Sequence, residues 1–147
     1  MDREKEILKV IVEQGVLPLY FHEDPDTSIR FLEALHSAGV QAVEYANRGE
    51  SALRNFEKMR KYCDSDLPDL YLGIGTIKRD EDAHRYVDAG SDFLVCPGLV
   101  EGAAAVAKSV SIPWIPGCMT PTEIIRAEVL GAKMVKLYPL NTLGPAY

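Results

Sequence analysis

Cysteine is scarce in this 147-residue chain, and the three present, Cys63, Cys96 and Cys118, follow no pattern. An odd number, widely spaced and without a Cys-x-x-Cys pair, excludes a disulfide framework and a zinc site and suits a reducing cytoplasm. His22, His36 and His84 are equally scattered and form no metal-ligand set. Positive charge is also short: 16 basic residues face 22 acidic ones, for a net charge of -6. That balance argues against a nucleic-acid surface. No apolar run approaches the length of a membrane span. The opening Met1-Asp2-Arg3-Glu4-Lys5-Glu6 reads as a charged helix start rather than a signal peptide. No Gly-x-Gly-x-x-Gly follows any strand-like run, and Gly73-Ile74-Gly75 is too short for a dinucleotide fingerprint.

What is present is ordinary for a globular protein: 47% hydrophobic and 26% charged residues. The length suits one domain, taken here as 1–147, with its own core. Asp2–Gln14 has Ile7, Leu8, Ile11 and Val12 at helical spacing and stops at Gly15. Val16–Phe21 reads as a strand, Asp24-Pro25-Asp26 as a turn, and Pro25–Ser37 as a helix ended by Gly39. Further strands are expected at Val40–Ala46, Leu70–Thr76, Asp92–Pro97, Ile112–Cys118 and Met134–Pro139. Helices are expected at Gly49–Tyr62, Asp80–Ala89 and Val100–Ser109, and another opens at Thr120 and ends at Gly131. Thr120 and Glu123 have the spacing of a capping box, with Pro121 at the first helical position.

The order is helix, then alternating strands and helices, ending on a strand. The strands are continuous apolar runs, which implies burial on both faces and a parallel sheet under helices. A doubly wound open sheet and a (β/α)8 barrel both fit. One residue breaks the last run: Lys136 lies in Met-Val-Lys-Leu-Tyr-Pro. A buried ammonium is costly unless paired or neutral, and a neutral amine can attack a carbonyl. Taken by itself, such a lysine more often reaches the strand end or pairs with an acid. The other strand ends carry Glu44 and Arg48, Thr76, and Pro97-Gly98. Glu44 and Arg48 also fit a plain strand-end ion pair, and Thr76 a turn residue or helix cap. Cys96 and Cys118 read as small core residues, His22 as a solvent-facing loop residue, and His36 and His84 as surface residues.

Five stretches, in order and at matching spacing, resemble the bacterial 2-keto-3-deoxy-6-phosphogluconate (KDPG) and 4-hydroxy-2-oxoglutarate (KHG) aldolases. They are Val43-Glu44-Tyr45-Ala46-Asn47-Arg48, Gly73-Ile74-Gly75-Thr76 and Cys96-Pro97-Gly98-Leu99, then Ile115 through Glu123 and Gly131 through Pro139. The resemblance implies an α/β fold of the TIM (β/α)8-barrel family, with about six of the eight strand–helix units present. It implies a Schiff-base aldolase acting on a small-molecule 2-keto acid, without metal or cofactor, with no nucleic-acid or membrane partner. A homotrimer in the cytoplasm is also implied. By position, Lys136 would be the Schiff-base lysine and Glu44 the general acid–base. Arg48 and Thr76 would hold the pyruvate carboxylate, and Pro97 and Tyr138 would line the pocket, where the family commonly has phenylalanine in place of Tyr138. Asn47 and Gly49 depart from the family's common leucine and threonine, as does Phe21-His22, which stands where many members have arginine.

The family continues through two more strand–helix units, whose glycine-rich turns hold the substrate phosphate. These 147 residues lack them, so the chain is expected to be a fragment or truncated product. Two uncovered sheet edges would then favour self-association. The alternative function is an incomplete barrel that acts only as a self-associating module. A metal-dependent barrel aldolase is disfavoured by the missing ligand set.

Overall fold

A computed structural model describes residues 3–144 and 146. The strands are β1 (Leu19–Tyr20), β2 (Ala42–Ala46), β3 (Tyr71–Gly75), β4 (Leu94–Val95), β5 (Trp114–Ile115), β6 (Gly117–Cys118) and β7 (Lys136–Leu137). The helices are α1 (Arg3–Gln14), α2 (Pro25–Ser37), α3 (Ala52–Asp66), α4 (Asp80–Asp88), α5 (Glu101–Ser109), α6 (Pro121–Val129) and α7 (Leu140–Leu143). All pairings are parallel, in the order β1-β2-β3-β4-β5 and then β6-β7. A doubly wound sheet reverses its strand order at a switch point; this one runs in chain order throughout, which is barrel winding.

The strands divide their side chains between two cores, as a period of two requires. Val43, Tyr45, Leu72, Ile74, Leu94, Cys96 and Trp114 face outward and pack with helical residues such as Phe56, Met59, Ala83 and Ala107. Ala42, Phe93, Val95 and Ile115 face inward and meet Ile7 and Ile11 of α1. The first helix therefore plugs the interior at the N-terminal ends of the strands. Gln14 fixes it there. Its Oε1 accepts from the backbone N–H of Gln41 and Ala42, and its Nε2 donates to the Ala42 carbonyl. Buried Asp92 adds a second tie at that end, accepting from Arg60 at 2.7 Å, from the Leu72 N–H at 2.7 Å and from Arg3.

Several expectations need correction. Asp2, where the first helix was expected to begin, lies outside the described residues. Strand one pairs only over Leu19–Tyr20, shorter than Val16–Phe21. The third helix starts at Ala52 rather than Gly49 and runs on to Asp66. Strand five is split into β5 and β6 at Pro116, which has no N–H for the ladder. The last run is not a buried strand: only Lys136–Leu137 pairs, and Leu137 is 38% exposed. Its one neighbour among the described residues is β6. The short α7 is an addition to the expected elements, while His36 lies at the surface as expected, 2.9 Å from exposed Asp69. The Thr120–Glu123 capping box, with Pro121 after the cap, is present. Among the described residues, no helix is long and apolar enough to cross a membrane.

Candidate functional site

The C-terminal strand ends surround a cleft of about 610 Å³. Glu44, Arg48, Thr76, Pro97, Lys136 and Tyr138 all border it, so one site contains every side chain singled out by the sequence. Asn47 and Lys78 also border it and were not assigned there.

Glu44 points inward because it stands two residues after Ala42 on β2. It lies over Gly75, where a Cβ would sit 1.8 Å from Glu44 Oε1. A glycine at that position is the space the carboxylate occupies. Gly117 serves a similar purpose one wall away: a Cβ there would come within 2.3 Å of the Pro97 carbonyl oxygen. Close approach at Gly117 seats β6 against the turn after β4, and β6 in turn pairs Gly117 with Lys136.

Lys136 Nζ reaches across the interior to 3.7 Å from Glu44 Oε1. The Glu44 side chain is 4% exposed and that of Lys136 32%, so the acid is held dry while the amine opens toward solvent. Burial raises the Glu44 carboxyl above its ordinary value; the Lys136 and Arg48 cations pull it part of the way back. A carboxyl pushed upward in this way holds a proton more readily than an exposed one, which suits it to proton transfer. The Lys136 ammonium also lies 5.7 Å from the centre of the Tyr138 ring, a cation–π distance. That ring is half exposed and forms the outer lip.

Thr76 has a positive φ of 64°, an uncommon backbone for a β-branched residue. The turn it makes carries the chain off β3. Ile77 is fully buried with its N–H on the Val95 carbonyl, while Thr76 and Lys78 on either side border the cleft. Asn47 is fixed at the end of β2. Its N–H donates to the Gly75 carbonyl, and its Oδ1 accepts from Tyr86 Oη at 2.8 Å. The alternation through Thr76-Ile77-Lys78 is the signal that would have found Lys78.

Of the remaining reactive groups, Cys96 also borders the cleft, while Cys63, Cys118 and His22 do not. Burial pushes the Cys96 thiol up to about 11, and its sulfur accepts a bond from Trp114 Nε1. Cys63 is likewise raised to about 11 by burial, and Cys118 is raised as well. Exposed His22 is a turn residue: its Nδ1 accepts from the Asp24 N–H, and its carbonyl accepts from Tyr45 Oη. Among the described residues, no three His, Cys, Asp or Glu side chains gather as a metal site would need.

Chain-order parallel winding, with a lysine and a buried glutamate facing each other at the C-terminal strand ends, defines a barrel-type scaffold with its polar site where barrel enzymes place theirs. The sequence model of the KDPG and KHG aldolases matches residues 7–146. The chain belongs to that family. It is 30% identical over 138 residues to a 2-dehydro-3-deoxy-phosphogluconate aldolase of Treponema pallidum, covering 94% of this chain and 64% of that protein. It is 27% identical over 135 residues to the KHG/KDPG aldolase of Escherichia coli, covering 92% of this chain and 62% of that one. A solved 4-hydroxy-2-oxoglutarate/2-dehydro-3-deoxyphosphogluconate aldolase superposes with a TM-score of 0.82 at 34% identity, over 92% of this chain and 65% of that one. The chain thus spans less than two thirds of the length of these relatives.

Proposed function

We propose that this chain, acting as one partial barrel domain over 1–147, carries the Schiff-base half of a 2-keto acid aldolase. The substrates that fit are 2-keto-3-deoxy-6-phosphogluconate, giving pyruvate and glyceraldehyde 3-phosphate, and 4-hydroxy-2-oxoglutarate, giving pyruvate and glyoxylate. The observation that carries the reading is the 3.7 Å approach of Lys136 Nζ to the buried Glu44 carboxylate.

The chemistry assigns a task to each residue type. The Lys136 amine attacks the C2 ketone; loss of water leaves an iminium that draws electrons from the C3–C4 bond. Glu44 removes the C4 hydroxyl proton, the bond breaks, and the aldehyde leaves. The electron pair rests as an enamine, which takes a proton at C3 before water releases pyruvate and the free lysine. Arg48, with its planar fork, and Thr76 hold the C1 carboxylate. Pro97 and Tyr138 wall the C2–C3 portion.

A second reading, self-association, has its own support. Leu19 on edge strand β1 is 44% exposed and Leu137 on β7 is 38% exposed. Apolar side chains on open edges invite pairing between copies, so a homo-oligomer, of which a trimer is one form, belongs to the proposal. A cytoplasmic setting fits the three free, buried cysteines.

The test is intact mass and peptide mapping after incubation with pyruvate and borohydride. A reduced pyruvyl adduct on Lys136, absent in Lys136→Ala, is expected. An adduct that persists in Lys136→Ala, or none in folded wild type, refutes the assignment.

A further inference from the structure

We infer that Lys78 forms a second anion subsite in the cleft, so that the site takes 2-keto acids bearing two negative groups in preference to those bearing one. The inference deepens the aldolase reading and rests on it for the position of the first carboxylate.

Three observations carry it. Lys78 borders the same cleft as Lys136 and Arg48, on the loop after β3. Lys78 is itself exposed, and its neighbours set the side from which it leaves the chain, since Ile77 is buried in the core and Thr76 turns the chain through a left-handed residue. Lys78 has no acidic partner among the described residues, although three acids open the adjacent helix. Arg79 takes that role, at 3.2 Å from Asp82 and 3.9 Å from Glu81.

The charge count then points one way. The cleft holds three cations, Arg48, Lys78 and Lys136, against one carboxylate, Glu44. This surplus sits in a chain whose net charge is -6. Substrate charge is what such a local excess attracts. Once Lys136 is bonded to C2 as the iminium and Arg48 holds the C1 carboxylate, Lys78 is the cation left to meet a second anionic group. A carboxylate or phosphate on the far end of the substrate is its matching group.

The experiment compares wild type with Lys78→Met and Lys78→Arg in two readouts. In the first, borohydride trapping on Lys136 is titrated with pyruvate, which has one carboxylate, and with 2-oxoglutarate, which has two. Lys78→Met is expected to raise the half-saturating concentration of 2-oxoglutarate roughly three- to tenfold and leave pyruvate unchanged. Lys78→Arg is expected to restore it. The wild-type advantage is expected to shrink in high salt. In the second readout, succinate and inorganic phosphate, which form no Schiff base, are titrated by NMR chemical shift. Loss of the succinate or the phosphate response in Lys78→Met supports the subsite, and the anion affected identifies carboxylate or phosphate as its ligand. Responses unchanged by Lys78→Met overturn it. So does an equal effect on pyruvate and 2-oxoglutarate. Absence of every adduct alongside a Lys78-dependent succinate response refutes the Schiff-base reading and leaves the subsite standing.

Discussion

Adding one methyl group at Gly75 should dislodge Glu44. The Cβ of Gly75→Ala would lie 1.8 Å from Glu44 Oε1, 2.5 Å from its Cδ and 2.9 Å from its Cγ. Ordinary contact needs about 3.5 Å, so the carboxylate must retreat by roughly 1.7 Å or β3 must shift away from β2. Either response disturbs the 3.7 Å approach to Lys136. Overpacking of this kind costs about 1–3 kcal/mol. In a domain of this size each kcal/mol lowers the melting temperature by about 3 °C, so a fall of roughly 3–9 °C is expected. The assay is thermal and urea unfolding of wild type, Gly75→Ala, Glu44→Ala and the double variant. Removing the Glu44 carboxylate vacates the space, so the Gly75→Ala cost should drop by about 1 kcal/mol or more in the Glu44→Ala background. The same cost in both backgrounds would show that Gly75 does not hold the space for Glu44. Gly75→Ala is also expected to weaken pyruvate trapping, because the acid–base partner of Lys136 has moved.

Glu44→Gln should stabilise the fold at neutral pH. Burial raises the Glu44 carboxyl above the ordinary 4.5, so the fold favours its protonated form. That contribution is fully present below pH 4.5 and is lost as pH rises through the higher folded value. The gain from Glu44→Gln at pH 7 should therefore shrink as pH falls toward 4.5, measured by urea midpoint; a gain independent of pH contradicts this. Asp92→Ala should cost about 2–4 kcal/mol in urea unfolding, because it strands the buried Leu72 N–H and leaves Arg60 only its bond to exposed Asp64. Arg3→Ala should cost under about 1 kcal/mol, since that side chain is 58% exposed. Equal costs for the two would mean that Asp92 is not the hub of that end.

The local features of this protein were determined by sequence alone. Thr120, Pro121 and Glu123 specify a helix start by interactions within a few residues, and the start forms as expected. Helix α2 begins at Pro25 and ends before Gly39, whose φ of 89° suits a residue without a side chain. Family membership was legible too, since it rests on short motifs in order. Strand extent was not. Met134–Pro139 reads as one buried run, yet how much of it pairs depends on what lies beside it: two of its residues stand in register with β6, and the Tyr138 N–H adds a bond to the Cys118 carbonyl. The same holds for the site. Glu44 and Lys136 belong to strands that are not neighbours, and only the curvature of the sheet brings them to 3.7 Å. Only the structure shows that Gly75 is the space under Glu44 and that Ile77, by burying itself, turns Lys78 to the cleft. Each of these is a contact between segments distant in sequence, and propensity, periodicity and capping act only over neighbouring residues.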